Sequence, residues 1–301
     1  MNLLRRLESL SLSLSVLAGV IAPAAESAAP AAPPFPPFVI VNSQLRVLPR
    51  TADGRQYQLQ VGLPASYASA PTRRYPVLYV TDGYWDFPTI QTSYNNLVYD
   101  RVVPEFIIVG LGYAGENPDY GNLRRWELSP VPVDDNGETS GHAADFLRTI
   151  ERDIIPFIER EYRADPSYRV LAGSSLGGLF TLYTMYTRPE LFQAYIAASP
   201  AVQVHDDWVF GYEEAFARSG RPLPARLYLT GAENEWPAFL ASIKRFHGRL
   251  AQRKYPGFTY EFRLIDGERH AGTKAESYVR GMRFAFAPFA PETGPMQDHP
   301  Y

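Results

Sequence analysis

Apolar residues recur at every second position in two stretches between Gln44 and Leu63, Leu45 and Val47 and then Tyr57, Leu59 and Val61, with Ala52-Asp53-Gly54 between them. A period of two marks a strand with one covered face, so the spacing predicts an antiparallel pair joined at that turn. Tyr75-Pro-Val-Leu-Tyr-Val80, which runs into Thr81-Asp82-Gly83, and Phe106-Ile-Ile-Val-Gly-Leu111 are almost continuously apolar. Strands covered on both faces read this way, and such strands usually belong to a parallel sheet between helices. Over 143–162 the period changes to that of a helix, with Phe146, Ile150, Ile154, Phe157 and Ile158 on one face and Pro156 forcing a kink or a restart. Further strands are predicted at 168–172, 194–199, 226–230 and 260–265. Phe239, Ile243, Phe246 and Leu250 mark a helix between the last two.

Strand and helix patterns that alternate after an antiparallel start predict one three-layer α/β sandwich with a mostly parallel sheet, at residues 39–288. Ahead of it, Arg5 and Arg6 precede an apolar run, Leu10 to Ile21, and then Ala22-Pro-Ala24. That is the layout of a signal peptide over 1–25, and the run is too short to span a bilayer comfortably. The expected location is therefore exported, periplasmic or secreted, with no stable membrane insertion after cleavage. Residues 26–38 form an Ala/Pro-rich linker and 289–301 a flexible tail. Composition narrows the chemistry further. With 46% hydrophobic and 14% aromatic residues the chain can fill a core, and a net charge of −3 without a basic cluster leaves no footprint for nucleic acid. Zero cysteines exclude a thiol nucleophile, thiolate metal sites and disulfides.

Gly173-Ser-Ser-Leu-Gly177 fills a G-x-S-x-G pattern between the strand Val170-Leu-Ala172 and the helical spacing of Leu179, Phe180, Leu182 and Tyr183. A serine on such a strand-to-helix turn is thrust out at the carboxyl edge of a sheet, and the flanking glycines permit close backbone approach. Ser175 is thus the expected nucleophile, and the Leu176 N–H behind it the expected first oxyanion donor. Tyr84, after the early strand and Asp82-Gly83, is in position to supply the second. A serine hydroxyl needs a base. Of five histidines only His270 follows a late strand in a loop, Asp266-Gly-Glu-Arg-His270, downstream of the serine. The orienting acid belongs after the strand between them, where Thr230-Gly-Ala-Glu-Asn-Glu-Trp236 offers Glu233 and Glu235. Trp85, Trp126 and Trp208 lie in segments expected near the strand ends and are candidates to line a substrate pocket.

Together these marks resemble the Putative esterase family of α/β-hydrolases, the group that contains esterase D-like enzymes, feruloyl esterases and siderophore esterases. The resemblance runs over about 76–286. It rests on Tyr75–Gly83, Arg125-Trp-Glu-Leu-Ser-Pro130, Gly173–Gly178, Ser199-Pro200 and Asp266–His270. It implies an α/β-hydrolase fold and ester hydrolysis through an acyl-enzyme on Ser175, with His270 as general base and Tyr84 and Leu176 as the oxyanion hole. The family's usual spacing for the acid falls on Asn234, so Glu233 is favoured, Glu235 is the alternative, and a Ser-His dyad is held in reserve. The implied partner is a small-molecule ester, with no metal or organic cofactor. Within the family the readings are a catechol trilactone siderophore esterase, a feruloyl or acetyl esterase, or an acyltransferase. From another class comes an inactive hydrolase-fold ligand-binding module, against which stand the intact Ser175 and His270.

Overall fold

The computed structural model describes residues 38–52, 54–132 and 140–295. The expected signal segment, nearly all of the Ala/Pro tract, Asp53 of the first turn and the last residues of the expected tail lie outside the described residues.

β1 (Ser43–Val47) and β2 (Tyr57–Gly62) form the predicted antiparallel pair, and β2 pairs antiparallel with β4 (Ile107–Tyr113). β3 (Tyr75–Val80), β5 (Ala164–Ser175), β6 (Ala194–Pro200), β7 (Arg226–Ala232) and β8 (Thr259–Ile265) join β4 in parallel. The strand order is β1-β2-β4-β3-β5-β6-β7-β8. From β3 the chain steps outward to β4 and then crosses back to β5. Open α/β sheets bind their ligands at such a reversal, outside the carboxyl ends of the strands, here those of β3 and β5. The expected three-layer α/β-hydrolase sandwich is the architecture found.

In chain order the helices are α1 (Gly83–Tyr99), α2 (Tyr120–Leu128), α3 (Ala143–Thr149), α4 (Ile155–Glu161), α5 (Leu176–Thr187), the short α6 (Val204–Asp207), α7 (Val209–Arg218), α8 (Pro237–Gln252) and α9 (Thr273–Ala285). Alternation along β3 shows how they sandwich the sheet. Val77 and Tyr79 enter a core shared with Phe180 of α5 and Phe246 of α8, whereas Leu78 and Val80 enter a second core with Phe87 and Ile90 of α1 and Tyr278 and Met282 of α9. A strand with both faces buried has no polar face, as its sequence implied.

One local expectation changes and another takes a definite form. Leu45 and Val47 are 65% and 54% exposed, because β1 is the outermost strand and the buried layer ends at Tyr57, Leu59 and Val61 of β2. At Pro156 the expected restart takes the form of a change in helix register. A π turn at Ile150–Ile154 joins α3 to α4, with the Ile155 N–H donating to the Ile150 carbonyl, and Pro156 falls in the first turn of α4. In that altered ladder its missing N–H removes no regular bond.

Candidate active site

Ser175 ends β5 with φ 58° and ψ −118°, a backbone conformation that side-chain-bearing residues rarely adopt. The β5–β6 register slips there: Ser174 pairs with Ala198 but Ser175 with Pro200. The turn fits because glycine flanks it. A Cβ on Gly173 or Gly177 would come within 2.6 or 2.2 Å of the Thr81 hydroxyl oxygen. Ser174 is buried and Ser175 half-buried, so Ser175 is the serine presented at the sheet edge.

The adjacent strand supplies the neighbouring wall. After β3, Asp82 takes φ 53° and turns the chain into α1, whose second residue is Tyr84. Since β3 pairs with β5, the first turns of α1 and α5 lie side by side, and the N–H groups of first turns have no intrahelical acceptor. Tyr84 and Leu176 belong to those two turns, where the helix dipoles favour negative charge. The start of α1 is fixed from both sides. The buried Asp82 carboxylate accepts two bonds from Arg124 of α2, at 2.8 and 2.9 Å. Asp86, also buried, accepts from Lys274 Nζ of α9 at 2.6 Å and from the Tyr278 hydroxyl. Burial raises the Asp86 pKa, and the Lys274 charge and hydrogen bond oppose the rise. The Tyr84 ring stacks on Tyr120 at 3.7 Å, and its hydroxyl is pushed up to about 12, by burial first and then by the Asp82 charge.

His270 and its carboxylate come from the loops after β8 and β7. These loops are stitched together, with the Glu233 N–H donating to the Ile265 carbonyl and the Asn234 N–H to the Glu268 carbonyl, at 3.0 and 2.9 Å. The carboxylate beside the imidazole belongs to Glu235, not to the favoured Glu233: Glu235 Oε2 lies 2.7 Å from His270 Nδ1 and the residue is 7% exposed. Glu233 turns the other way and accepts the Gly267 N–H at 2.7 Å, closing the turn ahead of His270. The pairing of the two loops accounts for the difference. The stitch holds the backbone of 233 and 234 along the β8 loop, where the Glu233 side chain reaches Gly267, and the next acid, Glu235, is the one that is buried. Among the described residues no group of three His, Asp or Glu side chains is arranged to hold a metal ion.

The three tryptophans separate. Trp85 is 58% exposed beside the start of α1, with Lys274 Nζ 4.2 Å from its ring centre. Trp126 has both ring faces covered, by the Arg55 guanidinium at 3.2 Å and the His142 ring at 3.6 Å, so neither face is free to stack on a substrate. Next to it the buried Glu127 accepts from the Tyr57 hydroxyl at 2.5 Å and from Arg55 at 3.1 Å, and burial pushes its pKa up to about 7. Trp208 packs half-buried against Tyr212 and Tyr183. An aromatic that the pattern reading missed, Trp236, is 63% exposed with its ring 5.2 Å from that of His270. Its position directly after a candidate acid was the available signal.

Comparison with known proteins gives the chain its context. The family model described as "Putative esterase" matches residues 51–251. The ferri-bacillibactin esterase BesA of Bacillus subtilis is 28% identical over 274 residues, covering 84% of this chain and 93% of that protein. A siderophore triacetylfusarinine C esterase of Aspergillus fumigatus is 30% identical over 154 residues, about half of each chain (50% and 52%). Among solved structures, the BES protein of Bacillus cereus superposes with a TM-score of 0.76 at 26% identity, covering 84% of this chain and 98% of that one.

Proposed function

The chain belongs to the Putative esterase family, and from that premise we propose that it hydrolyses carboxylic esters through an acyl-enzyme on Ser175. The observation that carries the reading is the buried Glu235 carboxylate 2.7 Å from His270 Nδ1, at the sheet edge that also bears the strained Ser175 turn. A carboxylate on Nδ1 leaves Nε2 as the basic nitrogen and stabilises the imidazolium once formed. His270 takes the Ser175 proton as Oγ attacks the ester carbonyl. The carbonyl oxygen becomes an oxyanion held by the Tyr84 and Leu176 N–H groups, and collapse expels the alcohol, which receives the proton from His270. Water repeats the sequence on the acyl-enzyme, releasing the acid and the free serine. Replacing Ser175 by Ala should abolish turnover of a p-nitrophenyl ester with the circular dichroism spectrum unchanged. Retained turnover would sink the assignment.

Within that chemistry we propose a siderophore ester as the substrate. Two relatives carry siderophore substrates in their names. The exposed Trp85 and Trp236 offer aromatic surface next to the Ser175 and His270 elements. Parallel assays of iron-free and ferric siderophore esters, a feruloyl ester and an acetyl ester test the choice. Preference for the feruloyl or acetyl ester would move the substrate elsewhere in the family. The N-terminal layout, Arg5-Arg6 before an apolar run and Ala22-Pro-Ala24, supports export. N-terminal sequencing of the mature protein from the medium or periplasm tests it. Among the described residues no helix is long and apolar enough to cross a membrane.

A further inference from the structure

Ser199, at the end of β6, is fully buried and takes φ 38°, in the left-handed region where a Cβ is costly. Its N–H donates to Thr230 Oγ1 of β7 at 3.2 Å, and that oxygen shares a hydrogen bond with Ser277 Oγ of α9 at 2.8 Å. Its hydroxyl lies 2.7 Å from Glu235 Oε2, the same oxygen that faces His270 Nδ1 at 2.7 Å. A carboxylate carries no proton, so the serine is the donor. The other oxygen, Oε1, has the weaker 3.3 Å bond from the Trp236 N–H.

We propose that Ser199 is a positioning residue that aims the Glu235 carboxylate at His270, an inference that rests on the reaction proposed above. The terminal torsion of a glutamate is broad, so a carboxylate held by the imidazole alone would sample several orientations. Ser199 anchors the oxygen that must meet the imidazole, and β6, β7 and α9 together anchor Ser199. The imidazolium exists only during reaction, so the loss of this anchor lowers kcat and leaves KM nearly unchanged.

The test compares Ser199→Ala and Ser199→Gly on a p-nitrophenyl ester, in the wild-type and Glu235→Ala backgrounds, with Ser175→Ala alongside. Glycine removes the hydroxyl and also relieves the left-handed backbone, so a loss common to both variants belongs to the hydroxyl and not to misfolding. Both should lower kcat about ten-fold, the usual scale for a hydrogen bond to a charged group, with KM within about two-fold. In the Glu235→Ala background neither should have a further effect. Where turnover there is too slow, the rate of Ser175 labelling by a fluorophosphonate replaces kcat. Wild-type kcat in Ser199→Gly, or an undiminished loss without Glu235, overturns the role of Ser199 alone. Turnover by Ser175→Ala overturns the reaction it rests on.

Discussion

Replacing Glu235 by Gln isolates the charge beside the imidazole, because the amide keeps the shape of the side chain. In the proposed reaction His270 becomes positive in the transition state, and unit charges about 4 Å apart at an effective dielectric constant of about 20 attract by about 4 kcal/mol. Treated instead as one charge-assisted hydrogen bond, the 2.7 Å contact contributes about 1.5–3 kcal/mol. At about 1.36 kcal/mol per decade, kcat should fall by about 10 to 10³. Glu233 provides the internal control. Its carboxylate accepts the exposed Gly267 N–H, so Glu233→Ala should cost about 1 kcal/mol of stability and leave kcat within about two-fold. The assay is initial-rate hydrolysis of a p-nitrophenyl ester with a thermal midpoint for each variant. If Glu235→Gln retains kcat within about three-fold, the carboxylate is not used and a Ser-His dyad operates. A Glu233→Ala loss as large as that of Glu235→Gln would mean the two loops are arranged differently from the contacts above.

Glu127 should leave a mark on the pH dependence of stability. Its folded pKa of about 7 lies above the ordinary 4.5, so the folded protein holds a proton that the unfolded chain releases. The contribution of Glu127 to stability is fullest below pH 4.5 and falls by about 3 kcal/mol as pH rises from there through 7. Glu127→Gln should flatten that slope in urea titrations, and equal slopes would refute it. At the elbow, Gly177→Ala places a methyl 2.2 Å from the Thr81 hydroxyl oxygen. It should destabilise by about 1–3 kcal/mol, read as a lower thermal midpoint, and Thr81→Ala in the same chain should restore much of the loss. No rescue would mean that the strain arises elsewhere.

Elements that bury long apolar side chains on both faces were legible in the sequence, which is why β3, β4 and the β5-turn-α5 unit stand where the pattern puts them. Ser175 could be singled out for the same reason, since its motif lies between two such elements. α9 carried no such signal: it buries Thr273, Ser277 and Gly281 along with Tyr278 and Met282, so its inner face reads as mixed. α2 was hidden in a polar stretch whose helix start depends on one local cap, Asp119 accepting the Asn122 N–H. The choice between Glu233 and Glu235 depends on backbone bonds between two loops, Glu233 to Ile265 and Asn234 to Glu268, that lie far apart in the chain. No local pattern encodes a long-range pairing. Leu45 and Val47 gave the reverse error, because alternation reports a face and not whether a helix layer extends over it.

The contact between Lys274 and Asp86 joins residues 188 positions apart, and Tyr278 makes the same connection one turn later. Synthesis runs from the amino terminus, so a growing chain produces Ser175 and both oxyanion turns well before it produces His270. Until α9 docks, the second core lacks Tyr278 and Met282, and Asp86 is a carboxylate without its cation. One late stretch, 270–278, therefore carries both the proposed base and the two side chains that fasten the start of α1.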